Sequence, residues 1–197
     1  MSKPFPPIVA LTPMLRELIL VALAALAAMS CSKDRPKMDD AAVVARAQSA
    51  LGPFKSGLKA ELTQALAKGP EAAIDVCAER APALAREISK DGVRVGRSAI
   101  KLRNPANAPP AWLVPVMDDL SKAPSGSTEH RVVSLPGGGH GYAEPIWVGP
   151  QCLGCHGEAI APALDAKIRE RYPSDAARGF HQGDFRGVFY AEVDAAK

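Results

Sequence analysis

The sequence has few aromatic residues and no block of charge of one sign. Trp, Tyr and Phe together make up 5% of the 197 residues, so its helices must be packed mainly by Ala, Leu and Val side chains. The 24 Lys and Arg residues are interspersed with the 21 Asp and Glu residues, and the net charge is only +3. Such a small and evenly distributed positive charge argues against a nucleic-acid partner. The composition predicts one globular domain with a hydrophobic segment attached to it.

The chain also lacks an apolar run long enough to cross a bilayer comfortably. Its longest run, Leu18 to Ala28, follows Arg16 and precedes small residues, which is typical of an export signal. The next residues, Met29-Ser30-Cys31, complete a segment that resembles the lipobox at which bacterial lipoproteins are cleaved and acylated. We therefore predict a signal peptide over residues 1–31 and a lipid anchor on Cys31. An uncleaved membrane anchor is the alternative.

This signal predicts the compartment and the start of the domain. An exported lipoprotein lies on the periplasmic side of a bacterial membrane, and Ser32 is typical of lipoproteins sorted to the outer membrane. Residues 32–40 are polar and predict a flexible tether, which leaves 41–197 for the domain. Met14 is an alternative start, because residues 1–13 add little to a signal.

Apolar spacing predicts an α+β domain without internal repeats. A first helix is expected from Asp40, kinked at Gly52-Pro53, and a second from Pro70 towards Ser89, bent at Pro82 and carrying Cys77 on its buried face. The predicted apolar face of the first helix consists of Val44, Ala47, Leu51, Phe54, Leu58, Leu62 and Leu66. The remaining predicted elements are a strand after Asp91, a helix over Ala111–Lys122, a hairpin of His130–Leu135 and Tyr142–Val148, a helix over Ala161–Arg171 and a strand over Gly187–Val193.

The clearest chemical motif is the C-x-x-C-H sequence that runs from Cys152 to His156. Two thiols at this spacing form thioethers with the vinyl groups of a haem, and the adjacent imidazole is the proximal iron ligand. The motif predicts one covalent haem c, whose planar ring would also fill core volume that aromatic residues do not. A disulfide and a zinc half-site are the alternatives; zinc needs four ligands, and the other His residues are scattered.

The cysteine count leaves one thiol to explain. With Cys31 assigned to lipid and two cysteines to haem, Cys77 is unpaired in an oxidising compartment. It is either a small hydrophobic core residue or a sulfur ligand in the sixth position of the iron. The other candidates for that position are Met117, His130, His140 and His181.

Several separated segments resemble one family in the same order. The family is the PAS-like c-haem domain family of unknown function, which includes small cyanobacterial proteins and periplasmic sensor regions of histidine kinases. The segments that carry the resemblance are Ala73–Cys77 with Ala81-Pro82, Leu102–Asn107 with Trp112, Glu144–Ile146 before the haem motif, and Tyr172–Phe180 with Gly183–Gly187.

The resemblance implies a fold and a set of ligands. The fold would be a PAS-like antiparallel sheet with N-terminal helices packed around one haem, and the iron would be held by His156 and Cys77. Arg103, Arg97 and Arg186 lie in or near family-like segments, so at least one of them is expected to pair with a haem propionate.

Two functions fit these expectations. One is electron transfer between periplasmic redox partner proteins. The other is a haem-based redox or gas sensor, in which the sixth ligand is displaced and a partner protein reads the change, since the sequence ends at Lys197 without a kinase. Catalysis of the peroxidase type would need an open iron position, which a Cys77 ligand would close.

Overall fold

The computed structural model of the protein describes residues 38–195. The predicted signal peptide with Cys31, and the predicted tether as far as residue 37, lie outside the described residues. Within the described part, no helix is both long and apolar enough to cross a membrane.

The described residues alternate between helices and strands. The helices are α1 (Asp40–Leu66), α2 (Pro70–Asp75), α3 (Ala81–Ile88), α4 (Leu113–Leu120), α5 (Leu153–His156) and α6 (Pro162–Arg171). The strands are β1 (Val93–Ser98), β2 (Arg131–Ser134), β3 (His140–Trp147) and β4 (Phe185–Val193). Short turns of other helical types are Val76–Arg80 (π) and Pro105–Asn107 and Pro150–Cys152 (both 3-10).

Helix α1 begins where its N-terminal backbone is capped. The side chain of Asp39 accepts a hydrogen bond from the Ala42 N–H at 2.6 Å, which satisfies one of the unpaired donors of the first turn. The helix does not end at Gly52-Pro53, where a kink was predicted, because α1 continues through Pro53. Its buried face is close to the predicted one but shifted by one residue at each end, since Val43 and Ala65 are buried in place of Val44 and Leu66.

The second predicted helix is divided by a wide turn. Helices α2 and α3 are joined by the π-helical turn Val76–Arg80, in which the Ala81 N–H donates to the Val76 carbonyl five residues earlier. Pro82 follows immediately; it has no N–H, and its ring would crowd the carbonyl four residues before it. The disturbance predicted at Pro82 is therefore present as a π turn, and Cys77 lies within it.

The four strands form one antiparallel sheet in the order β1-β4-β3-β2. The predicted hairpin is present as β2 and β3, with Ser134 opposite His140. Its loop is shorter than expected: His140, predicted in the Gly-rich loop, begins β3 and is buried. The reason is that β3 pairs with β4 as well as with β2, and this pairing extends to His140 opposite Val193.

Both faces of the sheet are covered by helices. On one face, Tyr142 of β3 packs with Leu51 and Phe54 of α1, and on the other the next residue, Ala143, packs with Leu113 of α4. Alternation of side chains along a strand explains this division. The predicted α+β class, with an antiparallel sheet and N-terminal helices, is confirmed.

Candidate functional site

The C-x-x-C-H motif folds as a compact helical turn. The 3-10 turn Pro150–Cys152 leads into α5, so that Cys152 and Cys155 are one turn apart. Gly157 ends the turn, and a Cβ at this position would lie 2.6 Å from the Leu153 carbonyl oxygen. A residue without a side chain is therefore required directly after His156.

The imidazole of His156 is held in one orientation by the backbone. Its Nδ1 lies 2.8 Å from the Ala177 carbonyl oxygen, to which it donates as Nδ1–H, leaving Nε2 free to bind a metal. Burial, aided by the charges of Arg103 and Arg186, lowers the pKa of His156 to about 3. The ring is thus neutral at physiological pH, which is the form that binds iron.

The structure brings Cys77 to the motif from a distant part of the chain. All three described cysteines are half-buried free thiols. Cys155 packs in a cluster with Ile74 and Ala78, which flank Cys77 on its helical segment. Burial raises the pKa of the Cys155 thiol, and the proximity of Cys77 and Cys152 raises it further.

Tyr172 lies beside Cys77 with an unused polar atom. Its ring packs against Ile74 in the same cluster as Cys155, and the residue is 6% exposed. Burial, followed by the effect of Cys77, raises the pKa of Tyr172. Its hydroxyl is buried and has no hydrogen-bond partner among the described residues. A bound group at this position would supply one.

The three predicted arginines lie close together. Burial, followed by the charges of Arg97 and Arg103, lowers the pKa of Arg186 to about 10. Neither Arg97 nor Arg186 has a carboxylate within 4.0 Å among residues 38–195. Arg186 instead lies over the ring of Phe180 at 5.2 Å, and that ring meets His156 edge-on. Arg97 and Arg186, two nearby cations without a counter-ion in the described part of the chain, favour an anionic ligand.

Arg103 differs from the other two because its guanidinium is used within the protein. It forms a two-pronged ion pair with Asp175 and also donates to the carbonyls of Cys155 and Ala177. Burial opposes ionisation of Asp175, but the bonds from Arg103 and the Ala177 N–H hold its pKa below the usual value.

The alternative sixth ligands are placed elsewhere or exposed. Met117 belongs to the core cluster of α4, which contains none of the motif residues, and His130 stacks on Tyr142 at 5.3 Å. His140 is buried at the start of β3. His181 is 67% exposed, with Glu158 and Asp184 at 3.5 and 3.6 Å.

Comparison with known proteins identifies the family. A family model described as "Tll0287-like: Tll0287" matches residues 16–193, which is most of the chain. The chain belongs to the Tll0287-like family. The crystal structure of the cyanobacterial haem protein Tll0287 is similar, at 33% identity and a TM-score of 0.50, over 60% of this chain and 71% of that chain. No curated protein matches. The resemblance stated from the sequence is confirmed.

The residues of this Tll0287-like site fit a haem better than a bare metal ion. Within residues 38–195, no group of three or more His, Cys, Asp or Glu side chains is arranged to hold a metal ion. A haem would need fewer protein ligands than a bare ion, because the porphyrin itself holds the iron and the protein would add only one or two side chains. The neutral imidazole of His156, the free thiols, the orphaned Tyr172 hydroxyl and the unpaired arginines match a ring with an iron and two carboxylates.

Sequence reasoning assigned no role to Tyr172, Asp175 or the Ala177 carbonyl. All three lie in the segment Tyr172–Phe180, which had been recognised as family-like. The likeness of this segment to the family is the only signal in the sequence that singles these residues out. It does not indicate which residue each of them contacts, because Asp175 is 72 residues from Arg103.

Proposed function

We propose that this chain is a periplasmic, lipid-anchored, single-haem cytochrome of the c type that transfers electrons between redox partner proteins. The haem is attached through Cys152 and Cys155, His156 is the proximal ligand and Cys77 the distal one. When bound, the haem supplies a one-electron redox couple. The observation that carries the proposal is the His156 Nδ1–H bond to the Ala177 carbonyl, since it directs Nε2 of a C-x-x-C-H imidazole away from the backbone.

Electron transfer is favoured because the chain offers two residues, His156 and Cys77, that would hold the iron. The Ile74 and Ala78 side chains that flank Cys77 pack with Cys155, and Cys77 lies close enough to raise the pKa of Cys155, which supports a place for its thiol beside the motif. An iron with two protein ligands has no position open to a small substrate.

Sensing is the second candidate, and the π turn favours it. Cys77 lies in a turn with wide hydrogen-bond spacing, Val76–Arg80, which ends two residues before Pro82. Turns of this type are uncommon and occur often at functional sites. A less rigid support for Cys77 would allow a gas to displace it.

Carbon monoxide distinguishes the two functions. For electron transfer, we expect the absorption spectrum of the reduced protein to be unchanged within minutes of adding carbon monoxide. The Cys77→Ala variant is the matched control and should bind the gas at once. Rapid binding by the wild-type protein would contradict a closed site and favour sensing.

The propionate proposal assigns the stronger roles to Arg97 and Arg186. Two nitrogens of Arg103, Nε and Nη2, are already engaged, whereas Arg186 donates only at 3.3 Å to the Lys101 carbonyl. We expect Arg186→Ala to lower the reduction potential, because a cation near the haem favours the ferrous state. Loss of a charge-assisted bond should also cost about 1.5–3 kcal/mol of the free energy of unfolding. Arg131→Ala, in an exposed ion pair, is the control; equal potentials in both variants would contradict the role.

Anchoring is proposed from the segment before the described domain. Cys31→Ser removes the acylation site, so we expect the protein to move from the membrane fraction to the soluble periplasmic fraction. Each methylene of an acyl chain contributes about 0.8 kcal/mol to membrane binding, and two chains are needed for stable anchoring. Fractionation followed by immunodetection measures this. A soluble wild-type protein would contradict the anchor.

A further inference from the structure

A buried ion pair lies beside the haem motif. The side chains of Arg103 and Asp175 are 8% and 2% exposed. Nε and Nη2 of Arg103 lie 3.1 and 3.2 Å from the two carboxylate oxygens, which is the two-pronged geometry that Arg forms with carboxylates. Desolvating such a pair is costly, so it is better explained by what it positions than by net stabilisation.

The pair connects two backbone segments. Nη2 of Arg103 donates to the Cys155 carbonyl at 2.5 Å and to the Ala177 carbonyl at 3.3 Å. Oδ1 of Asp175 accepts from the Ala177 N–H at 2.9 Å, so the ion pair binds both the N–H and the carbonyl of Ala177. The motif turn and the segment opposite it are thereby fixed relative to each other.

The same carbonyl is shared with His156. The Ala177 oxygen accepts from His156 Nδ1–H at 2.8 Å and from the guanidinium of Arg103. A carbonyl that already accepts from a cation is a weaker acceptor for an imidazole N–H. Because the strength of this N–H bond sets the basicity of a ligating imidazole, the charge of Arg103 reaches the iron ligand through one shared oxygen.

We propose that Arg103 and Asp175 are positioning residues that fix the ring of His156 and set the reduction potential of the haem. The inference rests on the haem c proposed above. Arg103 limits electron donation by the imidazole and thus favours the ferrous state, while Asp175 holds the guanidinium in place and balances its charge. This role differs from a contact between Arg103 and a propionate.

Arg178 provides a matched control for charge. Its Nε lies 2.8 Å from Asp175 Oδ2, so it brings the same charge to the same carboxylate. Its side chain pairs with Asp175 and Asp165 and not with the carbonyls of Cys155 and Ala177. Arg178→Gln therefore removes a nearby cation and leaves the bonds at the shared carbonyl intact.

The test compares holoproteins of Arg103→Gln, Arg103→Lys, Asp175→Asn and Arg178→Gln with the wild type. Reduction potential and the hyperfine-shifted proton resonance of His156 Nδ1–H are measured. We expect both Arg103 variants to lower the potential and shift the resonance, since Lys keeps the charge but cannot reach Asp175 and both carbonyls together. Asp175→Asn, which frees the guanidinium of Arg103, should also shift the resonance, and Arg178→Gln should leave it in place.

Three outcomes would overturn the inference. The first is a shift of the His156 resonance in Arg178→Gln as large as the shift in Arg103→Gln, which would mean that the nearby positive charge alone is responsible. The second is an Arg103→Gln variant whose reduction potential is lowered while its His156 resonance does not move, which would indicate that Arg103 contacts a propionate instead. The third is an Arg103→Lys variant with the same reduction potential and the same His156 resonance as the wild type. If Arg103→Gln yields no holoprotein, Arg103→Lys decides between the outcomes. A wild-type protein without haem c contradicts the proposed function itself, so the two failures are distinguishable.

Discussion

Replacing both Cys152 and Cys155 by Ala is expected to abolish covalent haem attachment completely. In the proposed attachment each half-buried thiol would form one thioether, so the double variant would retain neither bond. Any haem that remains would be held only by its axial ligands and by polar contacts. We therefore expect acid-acetone to extract all of the colour from the double variant, whereas the wild-type protein should keep its colour after denaturation.

Cys77→Ala is the matched control for this experiment, because it removes a third half-buried thiol beside the same motif. It should keep its haem through acid-acetone treatment, as should either single variant, each with one thioether left. Extraction of haem from the wild type, or its retention by the double variant, would contradict attachment through Cys152 and Cys155.

Cys77→Ala is expected to change the reduction potential of the haem iron and to leave the covalent attachment of the haem unchanged. A buried thiolate is favourable only beside a cation, and ferric iron supplies one. Its anionic sulfur stabilises the ferric state more than the ferrous, so removing it should raise the reduction potential. A tenfold change in relative ligand binding corresponds to about 59 mV for a one-electron couple, and we expect a rise of at least this size.

The oxidised spectrum gives the direct measurement for Cys77. A thiolate-type charge-transfer band should disappear in Cys77→Ala, and the iron should then bind added imidazole. Met117→Leu and His181→Ala are the controls and should leave the band unchanged. An unchanged oxidised spectrum in Cys77→Ala would mean that Cys77 is a core residue, and the sixth ligand would then lie among Met117, His130, His140 and His181.

Periodicity predicted most of the secondary structure, because helices and strands bury one face at a fixed spacing. It erred where tertiary contacts decide the outcome. His140 was predicted in a loop, but pairing with β4 extends the strand to include it.

The site was partly predictable for a similar reason. The residues of the motif are adjacent in sequence, so Cys152 to His156 could be interpreted without a structure. Grouping Cys77 with Cys155, or Arg103 with Asp175, depends on how distant segments pack, and no local spacing encodes it. The family-like segments marked these residues as a set and left their contacts undetermined.

The most direct test of the account is a pyridine haemochrome spectrum of the purified, periplasmically produced protein after acid-acetone treatment. Thioethers to Cys152 and Cys155, as proposed, would give a c-type spectrum with one haem per chain, and the denatured polypeptide should be heavier by one haem than the double variant that lacks both thiols. A colourless polypeptide with the same mass as that of the double variant, apart from the two substitutions, would contradict the account.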